Sequence, residues 1–125
     1  MENLLVHRKS QFANLLRVRE EGEVLAVQEL ITPTYLGHML HLEGGERTAL
    51  TYPNWIARFR DLNPNTKFII HAQSISHELI WTRLSAHRGD RAVSMGINQS
   101  RFEGELIAEE WAIWSTWTEP NKMQL

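Results

Sequence analysis

The feature that most constrains this chain is a change of pattern at Asn63-Pro64-Asn65. Before it, apolar residues recur at helical spacing. After it, Lys67–Ser76, Glu78–Ala86 and Ala92–Phe102 are rich in β-branched and aromatic residues and are separated by polar turns. Helices followed by a meander of strands imply an α+β fold, in which a curved, mainly antiparallel sheet wraps on the helices.

In the helical half, Leu5, Phe12, Leu15, Leu16 and Val18 suit one face of a helix over Leu4–Arg19, and Gly22 interrupts it. Glu23–Ile31 reads as a second short helix with Val24, Val27, Leu30 and Ile31 inward. Thr32-Pro33 should close it, because proline supplies no amide donor. Thr34–Leu42 is expected to be extended and to end at the turn Glu43-Gly44-Gly45-Glu46. A third helix should start at Thr51-Tyr52-Pro53-Asn54, with Thr51 as cap, and carry Trp55, Ile56, Phe59 and Leu62 at i, i+1, i+4 and i+7.

The closing stretch Ala108–Trp117 sets Trp111, Trp114 and Trp117 three residues apart, which a helix would place on one face. Ile, Ser, Thr and Trp are poor helix formers, and the preceding Phe102-Glu103-Gly104-Glu105 suits a hairpin, so a strand is favoured. That strand has Trp111, Ile113, Ser115 and Trp117 on one face and Glu110, Ala112, Trp114 and Thr116 on the other.

The 125 residues suit one domain, with a core over about residues 4–117 and a tail at 118–125. A formal charge of -2 with scattered Arg and Lys argues against nucleic acid. With no cysteine, disulfides and thiolate chemistry are excluded. Neither a signal-peptide apolar region nor a membrane-length apolar run is present, so a cytoplasmic protein without membrane association is expected. The histidines show neither HxH nor HExxH spacing, and P-loop, GxGxxG and GxSxG motifs are absent. Neither a metal nor a cofactor is expected. Arg88-Gly89-Asp90 spells an adhesion tripeptide, which occurs readily by chance.

The element order, Trp81 six residues before His87-Arg88-Gly89-Asp90, and the ending Ser100-Arg101-Phe102…Leu106-Ile107-Ala108-Glu109-Glu110-Trp111 together resemble the SnoaL-like polyketide cyclase branch of the nuclear transport factor 2-like superfamily. The resemblance implies a cone formed by a strongly curved sheet, closed by helices around a pocket, and a homodimer through the outer sheet face. It also implies a small lipophilic ligand, as a bound molecule or as the substrate of an isomerase, cyclase or hydrolase. Relatives tend to carry a catalytic aspartate directly after the position of Trp111, where this chain has Ala112. That favours a non-catalytic binding module, with a dimeric structural module as a further alternative.

If the second long run is a strand, Leu79, Trp81, Arg83, Ser85 and His87 share a face that combines an aromatic wall with a cation, a hydroxyl and an imidazole. His87, oriented by Asp90, is the first candidate acid or base, with His71 as a second. Tyr35, Trp55, Trp81, Arg83, Trp111 and Ile113 are the candidate ligand-binding residues. His41 and Gln73 are further polar groups able to reach a cavity, and Glu110 is a possible replacement for the missing acid. The competing readings are an ion pair for Arg83, a solvated strand end for His87 and a surface or interface ion pair for Glu110.

Overall fold

The computed structural model describes residues 2–40 and 45–115. Its elements are α1 (Glu2–Glu21), a 3-10 turn (Val24–Glu29), β1 (Ile31–Met39), β2 (Glu46–Thr48), α2 (Tyr52–Leu62), β3 (Thr66–Ser76), β4 (Leu79–Arg88), β5 (Arg91–Glu103) and β6 (Leu106–Trp114). The strands form one curved mixed sheet in the order β2-β1-β6-β5-β4-β3. β3 to β6 are an antiparallel meander, whereas β1 runs parallel to β6. Among the described residues, no helix is long and apolar enough to cross a membrane.

Three hairpin turns build the meander, and each begins with a residue of positive φ: His77 (53°), Gly89 (61°) and Gly104 (60°). Two-residue hairpin connections need that geometry because it matches the twist of the strands. Glycine meets it freely at two of the turns. At the third, His77 carries a Cβ into the left-handed region.

The closing stretch is a strand, and its two faces divide as its alternation indicates: Glu110, Ala112 and Trp114 are buried, while Ile113 is exposed. Trp117 and the tail lie outside the described residues, as does His41.

The N-terminal half departs from expectation in three places. The second helix is only a 3-10 turn, and the chain is already extended at Ile31. Pro33 therefore lies within β1, where the register with β6 shifts between Ile31 and Leu36; an irregularity is where a strand tolerates a residue without an amide donor. The short β2 pairs with β1 and was not anticipated. Thr51 precedes α2, but its hydroxyl accepts the Thr48 amide at 2.8 Å and makes no cap bond to the helix.

α1 lies across the sheet through Arg8, Phe12, Leu15, Leu16 and Arg19, all buried and recurring at helical spacing. Arg8 ties its first half to the far turns, donating from Nε to the Gly104 carbonyl at 2.7 Å and from Nη2 to Glu78 at 3.3 Å. The Phe68 amide donates to Glu20 at 2.7 Å and so holds the other end to β3. The inner sheet face presents Ile80, Thr82, Leu84 and Ala86 from β4, and Gly96, Asn98, Ser100 and Phe102 from β5.

Candidate functional site

Between helices and sheet runs a ladder of six aromatic rings. Tyr35 stacks on Tyr52 (centroids 5.2 Å apart), Tyr52 meets the edge of Trp55 (5.7 Å), and Trp55 stacks on Phe59 (5.6 Å). Phe59 then stacks on Phe68 (5.8 Å), and Phe68 meets Trp114 edge-on (5.8 Å). Trp55 and Phe68 are only partly buried, so the ladder reaches solvent there. Trp114 lies so close to the backbone that a Cβ on Gly96 would fall 2.5 Å from its ring. A glycine on the inner face is what lets the last rung seat.

Two guanidiniums sit among these rings. Arg47, the middle residue of β2 and 3% exposed, lies over Tyr52 at 4.3 Å and Trp55 at 4.8 Å. Arg19, in the last turn of α1 and 5% exposed, lies over Trp55 at 4.8 Å and Phe68 at 4.9 Å. Ring faces stabilise the cations through their negative quadrupoles. The in-plane N–H groups are another matter: Nε and Nη1 of Arg47 and Nε of Arg19 are buried without a hydrogen-bond partner. Gly37 makes room for Arg47, since a Cβ there would stand 2.9 Å from its Nε.

One carboxylate faces them. Glu110, 2% exposed, accepts from the Tyr35 hydroxyl at 2.7 Å, Asn98 Nδ2 at 3.2 Å and Ser100 Oγ at 3.3 Å, and lies 3.6 Å from Arg47 Nη2. Burial raises both tyrosines above their ordinary value; Arg47 opposes this and Glu110 reinforces it. They are therefore neutral phenols, and Tyr35 donates its proton to Glu110. For Arg47, burial works against the charge but is outweighed by Tyr35, Tyr52 and Glu110, so its value is raised. Arg19 is lowered, chiefly by burial.

Of the sequence candidates, the structure brings Tyr35 and Trp55 into this interior. Trp81, Arg83, Trp111 and Ile113 stand on the opposite, outer face, with Trp81 42% and Ile113 49% exposed. The period of two was right, but the helices cover the other parity. Trp111 is half-buried under His38, stacked at 5.6 Å. His71 and His87 do meet, each with Nε2 2.6 Å from the Ser85 hydroxyl. A hydroxyl has one proton, so it donates to one ring and accepts from the other. This group also faces outward, and Asp90 is an exposed member of the Gly89 turn. Gln73 donates to Thr82 Oγ1 at 3.1 Å.

The interior thus draws on Arg19, Arg47, Tyr52, Asn98 and Ser100, which sequence reasoning missed, and on Glu110, which it held only as an alternative. A trace of three of them was present in the long strands: Asn98 and Ser100 share the parity of Phe102, and Glu110 that of Ala112 and Trp114. Arg19 follows Leu15 by four and Phe12 by seven, which places it on the apolar face of its helix. Arg47 left no comparable signal.

No family model and no curated protein matches the chain by sequence. Solved structures do resemble it. IdmH from Streptomyces antibioticus, described as a candidate polyketide cyclase, has a TM-score of 0.71 at 19% identity, over 86% of this chain and 91% of that one. A candidate polyketide cyclase from Acidithiobacillus ferrooxidans has a TM-score of 0.70 at 20% identity, over 87% and 88%. A protein with a cystatin-like fold from Methylobium petroleophilum reaches 0.74 at 13% identity, over 96% and 83%. The chain accordingly has a nuclear transport factor 2-like, cystatin-like fold, in an arrangement also found in candidate polyketide cyclases.

Proposed function

We infer that the protein binds a small lipophilic molecule inside the cone, against the ladder of rings. The observation that carries this reading is the run of six aromatic side chains from Tyr35 to Trp114, which reaches solvent at Trp55 and Phe68. An apolar lining with a few convergent polar groups is the usual composition of a small-molecule site. The rings give area and stacking, while Tyr35, Asn98 and Ser100 gather around Glu110 at one end.

A second reading, an isomerase, cyclase or hydrolase, is favoured by one contact, the Tyr35 hydroxyl 2.7 Å from Glu110. A carboxylate and a phenol at that distance can move a proton. Binding is preferred because Glu110 already accepts three hydrogen bonds, which leaves it little capacity as a base. The outer face belongs to a second copy of the chain in this proposal. Trp81, Met95, Ile97 and Ile113 expose apolar surface on three adjacent strands, where a two-fold axis would set like against like.

A thermal-shift screen with steroids, terpenoids and aromatic polyketides tests the reading. A compound at about 100 times its dissociation constant should add about 2.7 kcal/mol of stability. The response should shrink in Trp55→Ala. A panel without any response, or one that Trp55→Ala leaves unaltered, removes the cone as the site.

A further inference from the structure

We propose that His71 and His87 form a binding site for a divalent transition-metal ion, zinc or copper, on the outer face of the sheet. The site lies across the sheet from the cone, and it stands or falls independently of the binding reading above. Each imidazole places Nε2 2.6 Å from the Ser85 hydroxyl, so the two nitrogens are at most twice that distance apart. Ser85 is 1% exposed beneath them, whereas His71 is exposed and His87 half-buried. The pair thus stands at the surface, where an ion needs no cavity to reach it. Among the described residues, no further His, Cys, Asp or Glu completes a metal-binding group with them, so the remaining coordination positions fall to water.

The backbone aims both side chains. His71 is the extra residue where β3 slips against β4 between Ile70 and Ala72, and His87 stands at the slip of β4 against β5 that follows Ala86. Bulges of this kind re-aim side chains and recur beside functional sites. Because the two histidines belong to different strands, no spacing such as HxH reveals them in the sequence. Imidazole nitrogen suits zinc and copper, whereas magnesium and calcium take oxygen ligands. Neither β3 nor β4 contains Asp or Glu, so no carboxylate on these strands competes for the rings. The serine hydroxyl has one proton and can serve the lone pair of only one ring, while a metal ion uses both. Zinc binds imidazole nitrogen at about 2.0–2.1 Å, which requires the two nitrogens to lie within about 4.2 Å of each other. His71, being exposed, can make that approach by rotation about its side-chain bonds.

Calorimetric titration of chelator-treated protein with zinc and copper(II) salts, and with magnesium as control, tests the inference. One zinc or copper ion should bind per chain, copper more tightly than zinc, and magnesium not at all. His71→Ala and His87→Ala should each weaken zinc binding at least tenfold. Ser85→Ala, which keeps both nitrogens, should retain binding, and His38→Ala, on the same face but held by Glu109, should leave it unaltered. The wild-type protein decides even where a variant misfolds: the electron paramagnetic resonance spectrum of its copper(II) form should show two imidazole nitrogens on the ion. Absence of zinc and copper binding, binding that survives both histidine substitutions, or a copper spectrum without two imidazole nitrogens overturns the site. Each of these outcomes leaves the cone and its screen untouched.

Discussion

Glu109 and Glu110 are neighbours on one strand, yet they occupy two different electrostatic worlds. Glu109 lies on the outer face, where it meets His38 at 2.8 Å and Arg101 at 3.5 Å near solvent. Glu110 lies on the inner face beside buried Arg47, Tyr35, Asn98 and Ser100. The same contrast holds across the sheet. Its outside carries exposed apolar side chains with ion pairs near solvent, and its inside carries aromatic rings around buried charges. The lesson concerns magnitude: a carboxylate–cation pair near the surface contributes about 0–1 kcal/mol, whereas removing one member of a buried pair costs about 3–5 kcal/mol.

The largest expected effect follows from that contrast. Glu110→Leu should cost about 3–5 kcal/mol in urea denaturation, since it strands the guanidiniums, and Glu109→Leu at most about 1 kcal/mol. Adding Arg47→Met to Glu110→Leu should recover much of the loss. If the single Glu110 variant costs no more than the Glu109 variant, the two faces are electrostatically alike and the contrast collapses.

Packing gives the next effect. Gly96→Ala forces a methyl group against the Trp114 ring and should cost about 1–3 kcal/mol, as overpacked cores do. Outward-pointing neighbours such as Met95→Ala should change stability within about 0.5 kcal/mol in the monomer, and should weaken self-association measured by light scattering. A protein that is monomeric in solution, or self-association undisturbed by Met95→Ala and Trp81→Ser together, would overturn the proposed outer-face interface.

Alkali probes the inner face from a different side. Tyr35 and Tyr52 have folded-state values raised above 10.0, so the folded chain holds these protons more tightly than the unfolded one. Their contribution is complete below pH 10 and is lost as the pH rises through the folded values. Stability should therefore decline above that pH, and Tyr35→Phe or Tyr52→Phe should flatten the decline. An unchanged slope in both variants would show that the phenols are in contact with solvent. The smallest effect belongs to a turn: His77→Gly should stabilise by about 0.5–1 kcal/mol by relieving the left-handed strain, an amount far below what any inner-face change costs.

Much of the architecture was legible in the sequence because local patterns and packing agree there. Alternating residues after Pro64, with turns at Gly89 and Gly104, dictate a meander, since no other arrangement pairs every run with its neighbour. The closing tryptophans resolve in the same way, because Trp111 and Trp114 differ in parity and must face opposite sides of the sheet. Pro33 misled because proline ends helices in general, whereas here an irregular register beside β6 accepts it within a strand.

The site was less legible. Strand alternation separates two sets of side chains but carries no sign that says which set faces the helices. Trp81, Arg83 and His87 formed the more chemically suggestive set, and Thr82, Leu84 and Ala86 formed the set that was buried. By itself, then, the sequence determined the first and last helices, the C-terminal strands, their order and the pairing of residues into faces, all of which follow from local backbone geometry and short-range spacing, but not the 3-10 turn or the short β2. Only the tertiary structure decided which face the helices cover. That choice buried Arg47, contributed by a three-residue strand, beside Arg19 from a helix end and Glu110 from the last strand. Charges so distant along the chain meet only when the sheet curves, and their desolvation is a property of the closed cone rather than of any segment.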